Sequence, residues 1–277
     1  MKEVILPTER TKVLNFNPKL LILFGLPKSG KSSAIASLDD NLVIDLEDGY
    51  RALSVMKVDA KDIYDIFNIK AALDKKIAEL GKKPYRFITI DNATRLEEMS
   101  LIYAAALYRK TSMGQGWGYL RDKNNNIIRK DGKPVIDPKA DVRQLPSGSG
   151  YLYLRNALKE IVHMFMPLCD TLILVCHVKD KQIQMNGEES SKLTVDLAGK
   201  LSDIICGEAD AVGYVYREGK KTIVSFDGTA GDIREARPVH LRGKSFVVGE
   251  SDDNNVLKMD MNKIFIDNTE EKPNKTA

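Results

Sequence analysis

Three observations predict an α/β fold, a mostly parallel sheet flanked by helices. Apolar runs of single-strand length end at a glycine, an acid or a histidine, segments of helical period lie between them, and a glycine-bracketed loop joins the first run to the first helix. The runs are Leu20 to Phe24, Asn41 to Leu46, Tyr85 to Asp91 and Thr171 to His177. Their near-continuous apolar character suits strands covered on both faces, joined by right-handed crossovers. A hairpin insertion and a carboxyl-terminal β-hairpin region complete the expected architecture.

The first run leads into the most specific motif. From Lys19 the chain reads KLLILFGLPKSGKSS, and Gly25-Leu26-Pro27-Lys28-Ser29-Gly30-Lys31-Ser32, followed by Ser33, has the spacing G-x-x-x-x-G-K-[ST]. Gly25 and Gly30 permit backbone angles that a side chain obstructs, so successive amides can face an anion at the positive end of the helix that follows, read as Ala34 to Leu38. This is a phosphate-binding loop. Lys31 reaches the β- and γ-phosphates, and Ser32 offers its hydroxyl to Mg²⁺. Lys28 sits too late in the loop for a second signature lysine and reads as a solvated side chain.

The second strand, NLVIDL, is followed by Glu47-Asp48-Gly49. Open α/β sheets bind ligands at the carboxyl ends of their strands, so Glu47 is a candidate general base that polarises the attacking water, with Asp45 and Asp48 beside it. An ordinary turn carboxylate next to Gly49 fits the same position. Ile69, Leu73, Ile77 and Leu80 mark a helix closed by Gly81 and Pro84. The strand YRFITID then ends in Asp91, a Walker B pattern in which the acid orients Mg²⁺ or its water. Asn92 either touches the γ-phosphate or caps the helix from Thr94 to Arg109.

From 111 to 150 apolar residues thin out, and Asp131-Gly132 between two short runs signals a hairpin. Between Arg121 and Arg143 seven Lys or Arg face four Asp, with Trp117 and Tyr119 alongside. Two readings fit: aromatics and cations that hold nucleic acid, or a solvated hairpin.

Leu154, Leu158, Ile161 and Phe165 restore helical spacing over Tyr151 to Met166, and Pro167 ends it. TLILVCH follows. His177, at its carboxyl edge, either senses the γ-phosphate and passes its presence to 178–199, or satisfies a backbone carbonyl. That following segment holds Asn186-Gly187 and reads as flexible, and Lys179 to Lys200 balances four basic against four acidic residues. His163 reads as a helix-face residue, and His240 has no assignable role. Lys200 to Cys206 reads as a short helix, and Ala211 to Arg217 pairs with Thr222 to Phe226 around Glu218-Gly219-Lys220. Arg234, Arg237, Arg242 and Lys244 include a possible arginine finger for a neighbouring subunit. From Glu250 onward seven acids outweigh four lysines, Val256 to Met259 and Lys263 to Ile266 read as edge strands, and NTEEKPNKTA reads as disordered.

Composition sets the outer bounds. With 277 residues, 43% apolar, 29% charged and a net charge of +3, the chain can bury a large core and has no bulk charge to drive nucleic-acid binding. No apolar run approaches bilayer length and Met1 to Arg10 lacks a signal-peptide core, so a cytoplasmic location and no membrane partner are expected. Cys169, Cys176 and Cys206 make no C-x-x-C pair and read as reduced core residues.

The chain resembles the RecA-type ATPase core, and within it the short phage-encoded ATPases of single-strand annealing and recombination. GLPKSGKSS (25–33), VIDLEDGYRAL (43–53), FITIDN (87–92), GYLYLRNALKEI (150–161), LILVCHVKD (172–180) and GKLSDIICGEADAVGYVYRE (199–218) carry the likeness. It covers about 25 to 245, and the expected division is an extension over 1–18 open to docking on a neighbour, a RecA-like domain over 19–249 with its insertion at 111–150, and an acidic, partly disordered tail over 250–277. It also implies ATP and Mg²⁺ as cofactors, phosphate and metal binding by Lys31 and Ser32, water activation by Glu47 and metal placement by Asp91. His177 would replace the glutamine usual at the sensing position, and 111–150 and 179–199 would face DNA. The expected activity is ATP hydrolysis stimulated by single-stranded DNA, in a homo-oligomer that works beside a single-strand-binding protein, in host cytoplasm if phage-encoded. The alternatives are an AAA-like helicase loader or remodelling ATPase stimulated by a protein, a small-molecule kinase, for which the basic insertion is too spread out to be an arginine-rich lid, and a module that holds nucleotide without turnover.

Overall fold

The computed structural model describes residues 6, 8–10, 15–185, 188–228, 232–254 and 256–267. Its strands and helices follow one another as β1 (Leu20–Phe24), α1 (Lys31–Ala36), β2 (Asn41–Asp45), β3 (Met56–Asp59), α2 (Ile63–Leu80), β4 (Phe87–Asp91), α3 (Ala93–Arg109), β5 (Arg129–Lys130), β6 (Lys133–Pro134), α4 (Gly150–Phe165), β7 (Thr171–Cys176), β8 (Val178–Met185), β9 (Glu188–Val195), α5 (Leu201–Glu208), β10 (Ala211–Glu218), β11 (Lys221–Ser225), β12 (Glu235–Ala236), β13 (Ser245–Ser251) and β14 (Leu257–Met259).

The main sheet runs β14-β13-β11-β10-β1-β7-β4-β2-β3, with β12 paired to β10. The stretch from β10 to β3 is parallel throughout, and β11 to β14 extend one side in antiparallel fashion. This is a mixed, mostly parallel sheet flanked by helices, with the strand that leads into the phosphate loop near its middle. The strand after the phosphate loop's own neighbour ends in the Walker B acid: β7 separates β1 from β4, with Ile22 level with Leu174 and Ile90 level with the same residue.

Side-chain alternation explains why these runs are apolar throughout. Leu20, Ile22 and Phe24 face one core with Leu158, Ile161 and Phe165 of α4, while Leu21 and Leu23 face a second core with Ala34 and Ile35 of α1. Every residue of β1 and β7 is buried. Capping defines the helix ends: Asp62 accepts from the amides of Tyr64 and Asp65 at the start of α2, and Gly81, at φ 67°, closes it.

Several expectations change. The helix after the phosphate loop starts at Lys31, ahead of Ala34, because Gly30 turns the chain at φ 99°. The edge strand β3 and the interior strand β13 are additional to those read from sequence. The segment read as flexible after His177 is an antiparallel ribbon, β8 paired with β9 from Val178–Val195 to Met185–Glu188. Asn186 and Gly187 lie outside the described residues, as does NTEEKPNKTA. Lys263 to Ile266 is not a strand: Met261–Ile264 form a 3-10 turn whose Met261 and Ile264 are buried in the second core.

A tail cut at 250 would therefore divide packed structure. Phe265 stacks obliquely on Phe87 with ring centroids 4.6 Å apart, and Asn17 holds Ile266 through Nδ2 to its carbonyl (2.7 Å) and Oδ1 from its amide (2.9 Å). Thr171 Oγ1 donates to Pro18 O at 2.7 Å, and His240 bridges Asn15 Oδ1 (2.9 Å) and Ile264 O (3.2 Å), so the described end of the 1–18 extension docks on its own chain. Phe265→Ala is expected to cost about 3 kcal/mol, the low end for a truncated core phenylalanine, because Phe265 is partly exposed. Urea unfolding of the two proteins measures it.

Candidate active site

The carboxyl ends of β1, β7, β4 and β2 lie side by side, so loops distant in sequence meet at one edge. Phe24 is level with Cys176, Cys176 precedes His177, and Asp45 is level with Asp91. Parallel pairing in register is what gathers Lys31, Ser32, Glu47, Asp91 and His177.

The phosphate loop is shaped by close approach. A Cβ on Gly25 would lie 2.3 Å from the carbonyl oxygen of Val215 on β10, and Gly30 takes φ 99° with its open side against Thr222. Leu26, Pro27 and Lys28 are exposed, whereas Ser29, Gly30 and Lys31 are buried. Lys31 Nζ donates to the carbonyls of Gly25 (2.7 Å) and Leu26 (2.9 Å), and burial pulls its pKa below the usual lysine value while Asp91 and Glu47 pull the other way. Ser29 Oγ is buried without a hydrogen-bond partner among the described residues. An orphaned hydroxyl in a cradle of amides, beside a lysine held only by neutral carbonyls, fits a polyphosphate.

The metal residues meet across two strands. Ser32 Oγ lies 3.4 Å from Asp91 Oδ2, and the phenol of Tyr50 donates to that same oxygen at 2.6 Å. Burial raises the Asp91 pKa, opposed by the Tyr50 hydrogen bond and the Lys31 charge. A serine hydroxyl beside an anionic carboxylate is the hard-oxygen pair that Mg²⁺ takes next to nucleotide phosphates, so the residues fit the ion. Another trio able to share an ion, Asp45, Asp48 and Asp59, surrounds Lys57 Nζ, which pairs with Asp59 and lies 3.4 Å from Asp45 and 4.0 Å from Asp48.

Asp45 instead shapes the turn that carries Glu47. Its Oδ1 accepts from the amides of Glu47 (3.2 Å) and Gly49 (3.1 Å). Glu47 remains half-exposed, its Oε2 3.4 Å from His177 Nε2. Asn92 does cap α3, with Oδ1 accepting from the Arg95 amide at 2.8 Å, and that orientation aims its Nδ2 at His177 Nε2, 2.9 Å away. The amide nitrogen is the donor, so Nε2 accepts and the ring proton belongs on Nδ1.

From this cluster the ribbon is tied down. Asp196 N donates to His177 O (2.9 Å), Thr94 Oγ1 donates to Asp196 O (2.9 Å), and both carboxylate oxygens of the buried Glu97 lie within 3.1 Å of the Ala198 amide. Lys179 Nζ donates to Leu197 O. The first turn of α3 thus grips the root of the ribbon, with Asn92 at its cap and His177 at the ribbon's start.

Three of the arginines weighed as fingers serve the chain itself. Arg234 pairs with Asp232 at 2.5 Å, Arg237 binds Gly207 O, Glu208 O and Asp210 at the end of α5, and Arg242 donates to Ala236 O and Arg237 O. Lys244 is exposed. In the insertion, Trp117 packs edge-on to Tyr108 (5.5 Å) and Arg109 lies over Tyr119 (5.3 Å), so both aromatics already have partners. Cys169 and Cys176 are buried free thiols, and burial pushes Cys169 up to about 12.

Tyr50 and the scaffold role of Asp45 are the site features that sequence reading missed. A buried aromatic just past an acidic turn was the available signal for Tyr50, but its partner lies 41 residues away.

Fold and site define a nucleotide-binding protein of the P-loop class. The chain belongs to the AAA domain family, whose model matches residues 17–233. A solved structure of the RadB recombinase is loosely similar, at 10% identity and a TM-score of 0.44 over 87% of this chain and 90% of that one. A search of curated proteins finds no match. Among the described residues no helix is long and apolar enough to cross a membrane.

Proposed function

We propose that this chain binds ATP with Mg²⁺, hydrolyses it, and uses the bound state to order a surface for single-stranded DNA during recombination, annealing or replication. The observation that carries the proposal is the meeting of Lys31, Ser32, Asp91, Glu47 and His177 at four adjoining strand ends.

In this reading the amides from Gly25 to Ser33 and the Lys31 ammonium hold the phosphates. Ser32 and Asp91 hold Mg²⁺, which neutralises charge on the β- and γ-phosphates when bound. Glu47 aligns the attacking water and draws off its proton. His177 senses the γ-phosphate, and its hydrogen bond to Asn92 passes that presence to the cap of α3.

Coupling runs from His177 into β8 and from Asn92 through α3 to Ala198, so both roots of the ribbon respond to the nucleotide. With Trp117 and Tyr119 engaged internally, DNA is gripped by basic side chains of the insertion and by the ribbon. Assembly into a homo-oligomer, alongside a single-strand-binding protein, belongs to the same proposal. A trans-acting cation is better sought at Lys244 than at the three paired arginines.

The test is steady-state ATP turnover with Mg²⁺ at low salt, with and without single-stranded DNA. Single-stranded DNA is expected to tighten ATP binding by about fivefold or more, the lower range of ordinary coupling between sites, and the effect should fade as salt rises. Indifference to DNA removes the coupling. Stimulation by a replication protein in its place would favour a remodelling ATPase.

A further inference from the structure

We infer that Tyr50 is a positioning residue for the metal site, one whose phenol fixes the Asp91 oxygen that Ser32 also faces, so that the pocket discriminates metal-loaded from metal-free nucleotide. The inference rests on the nucleotide reading above.

Tyr50 is 1% exposed, and its ring belongs to the core that holds Val43, Phe87 and Ile35. It enters from the turn after β2, directly behind the Glu47-Asp48-Gly49 segment. Its hydroxyl comes to 2.6 Å from Asp91 Oδ2, while Ser32 Oγ stands 3.4 Å from that oxygen. Of the two, the phenol makes the shorter contact.

That geometry has a chemical consequence. A carboxylate free to rotate about its terminal bond presents either oxygen, or an edge between them, to an arriving ion. With one oxygen pinned by a buried donor that cannot move without disturbing the core, Asp91 is held in a single orientation before the metal arrives. Groups that orient a metal-binding carboxylate in this way typically carry about 10- to 100-fold in metal affinity. Tyr50 also ties the turn bearing Glu47 to the strand bearing Asp91.

The experiment titrates Mg²⁺ against the full chain holding a fluorescent, non-hydrolysable ATP analogue. In Tyr50→Phe the half-saturating Mg²⁺ should rise about 10- to 100-fold, whereas analogue affinity in excess chelator should stay within about twofold of the parent. In an Asp91→Asn background, Tyr50→Phe should add nothing. A half-saturation point within about twofold of the parent, or an equal shift in the Asp91→Asn background, overturns the assignment.

Should the phenylalanine variant fail to fold, 3-fluorotyrosine placed at position 50 gives a second readout. Its ¹⁹F resonance should move when Mg²⁺ is added at fixed nucleotide, and an unmoved resonance overturns the proposal. Failure of the parent chain to bind the analogue at all would instead overturn the nucleotide site, and Tyr50's role with it.

Discussion

Lys31→Ala is expected to weaken nucleotide binding by at least about two orders of magnitude and to abolish turnover. Hydrogen bonds to charged groups contribute about 1.5–3 kcal/mol each, and Lys31 has two candidate phosphates to serve, which together correspond to roughly 10²- to 10⁴-fold. The Lys31 ammonium is buried and donates to two neutral carbonyls, Gly25 O and Leu26 O. Phosphate would supply the counter-charge those carbonyls lack. The substitution should therefore fall almost wholly on the liganded state.

The pH behaviour of stability checks this independently. Burial lowers the Lys31 pKa from its ordinary 10.5, so between the folded and unfolded values the unfolded chain carries more protons. Lys31 thus opposes folding below its folded pKa, and that opposition fades as pH rises through the window toward 10.5. Lys31→Ala removes the effect, so the variant should be no less stable near neutrality and should gain less on alkalinisation. Calorimetric binding and denaturant unfolding across pH measure both. Affinity within about fivefold of the parent would mean that Lys31 serves the loop and not a ligand.

The phosphate loop and the Walker B strand were legible because their chemistry is local. Gly25 must pass under Val215 O and Gly30 must take a positive φ, and each requirement leaves a glycine in the sequence. Apolar runs likewise reported β1, β2, β4 and β7, since strands with a core on each face need no polar side.

What escaped reading depended on partners. β3 has four residues, none buried, and no periodicity to reveal it. In β13 the interior Gly249 looks like a break, yet a Cβ there would lie 2.0 Å from Sδ of Met259, its pairing partner on β14, so the glycine leaves room for that side chain. The ribbon of β8 and β9 is polar in sequence and joined by backbone bonds, so its composition matches a loop. Tyr50 stands just past an acidic turn, but nothing local names its partner: its hydroxyl finds Asp91 only because β2 and β4 are adjacent.

Glu47→Gln separates chemistry from binding at this site. The amides of Glu47 and Gly49 would still be held by Asp45 Oδ1, and glutamine matches the size of glutamate, so the turn should keep its shape. The side chain is 45% exposed and lies 3.4 Å from His177, so stability should change by no more than about 0.5 kcal/mol. What glutamine cannot do is take a proton from water. General-base catalysis contributes about 10²- to 10⁴-fold, and turnover should fall by that range while ATP affinity stays within a few-fold. Single-turnover hydrolysis beside equilibrium binding distinguishes this from Lys31→Ala, in which both fall. Asp45→Asn provides the contrast within the turn: it weakens the acceptor that shapes the loop, so it should slow turnover through misplacement while Glu47 remains. If Glu47→Gln hydrolyses ATP at a rate close to the parent's, Glu47 is an ordinary turn carboxylate and water activation passes to another group at the same strand ends.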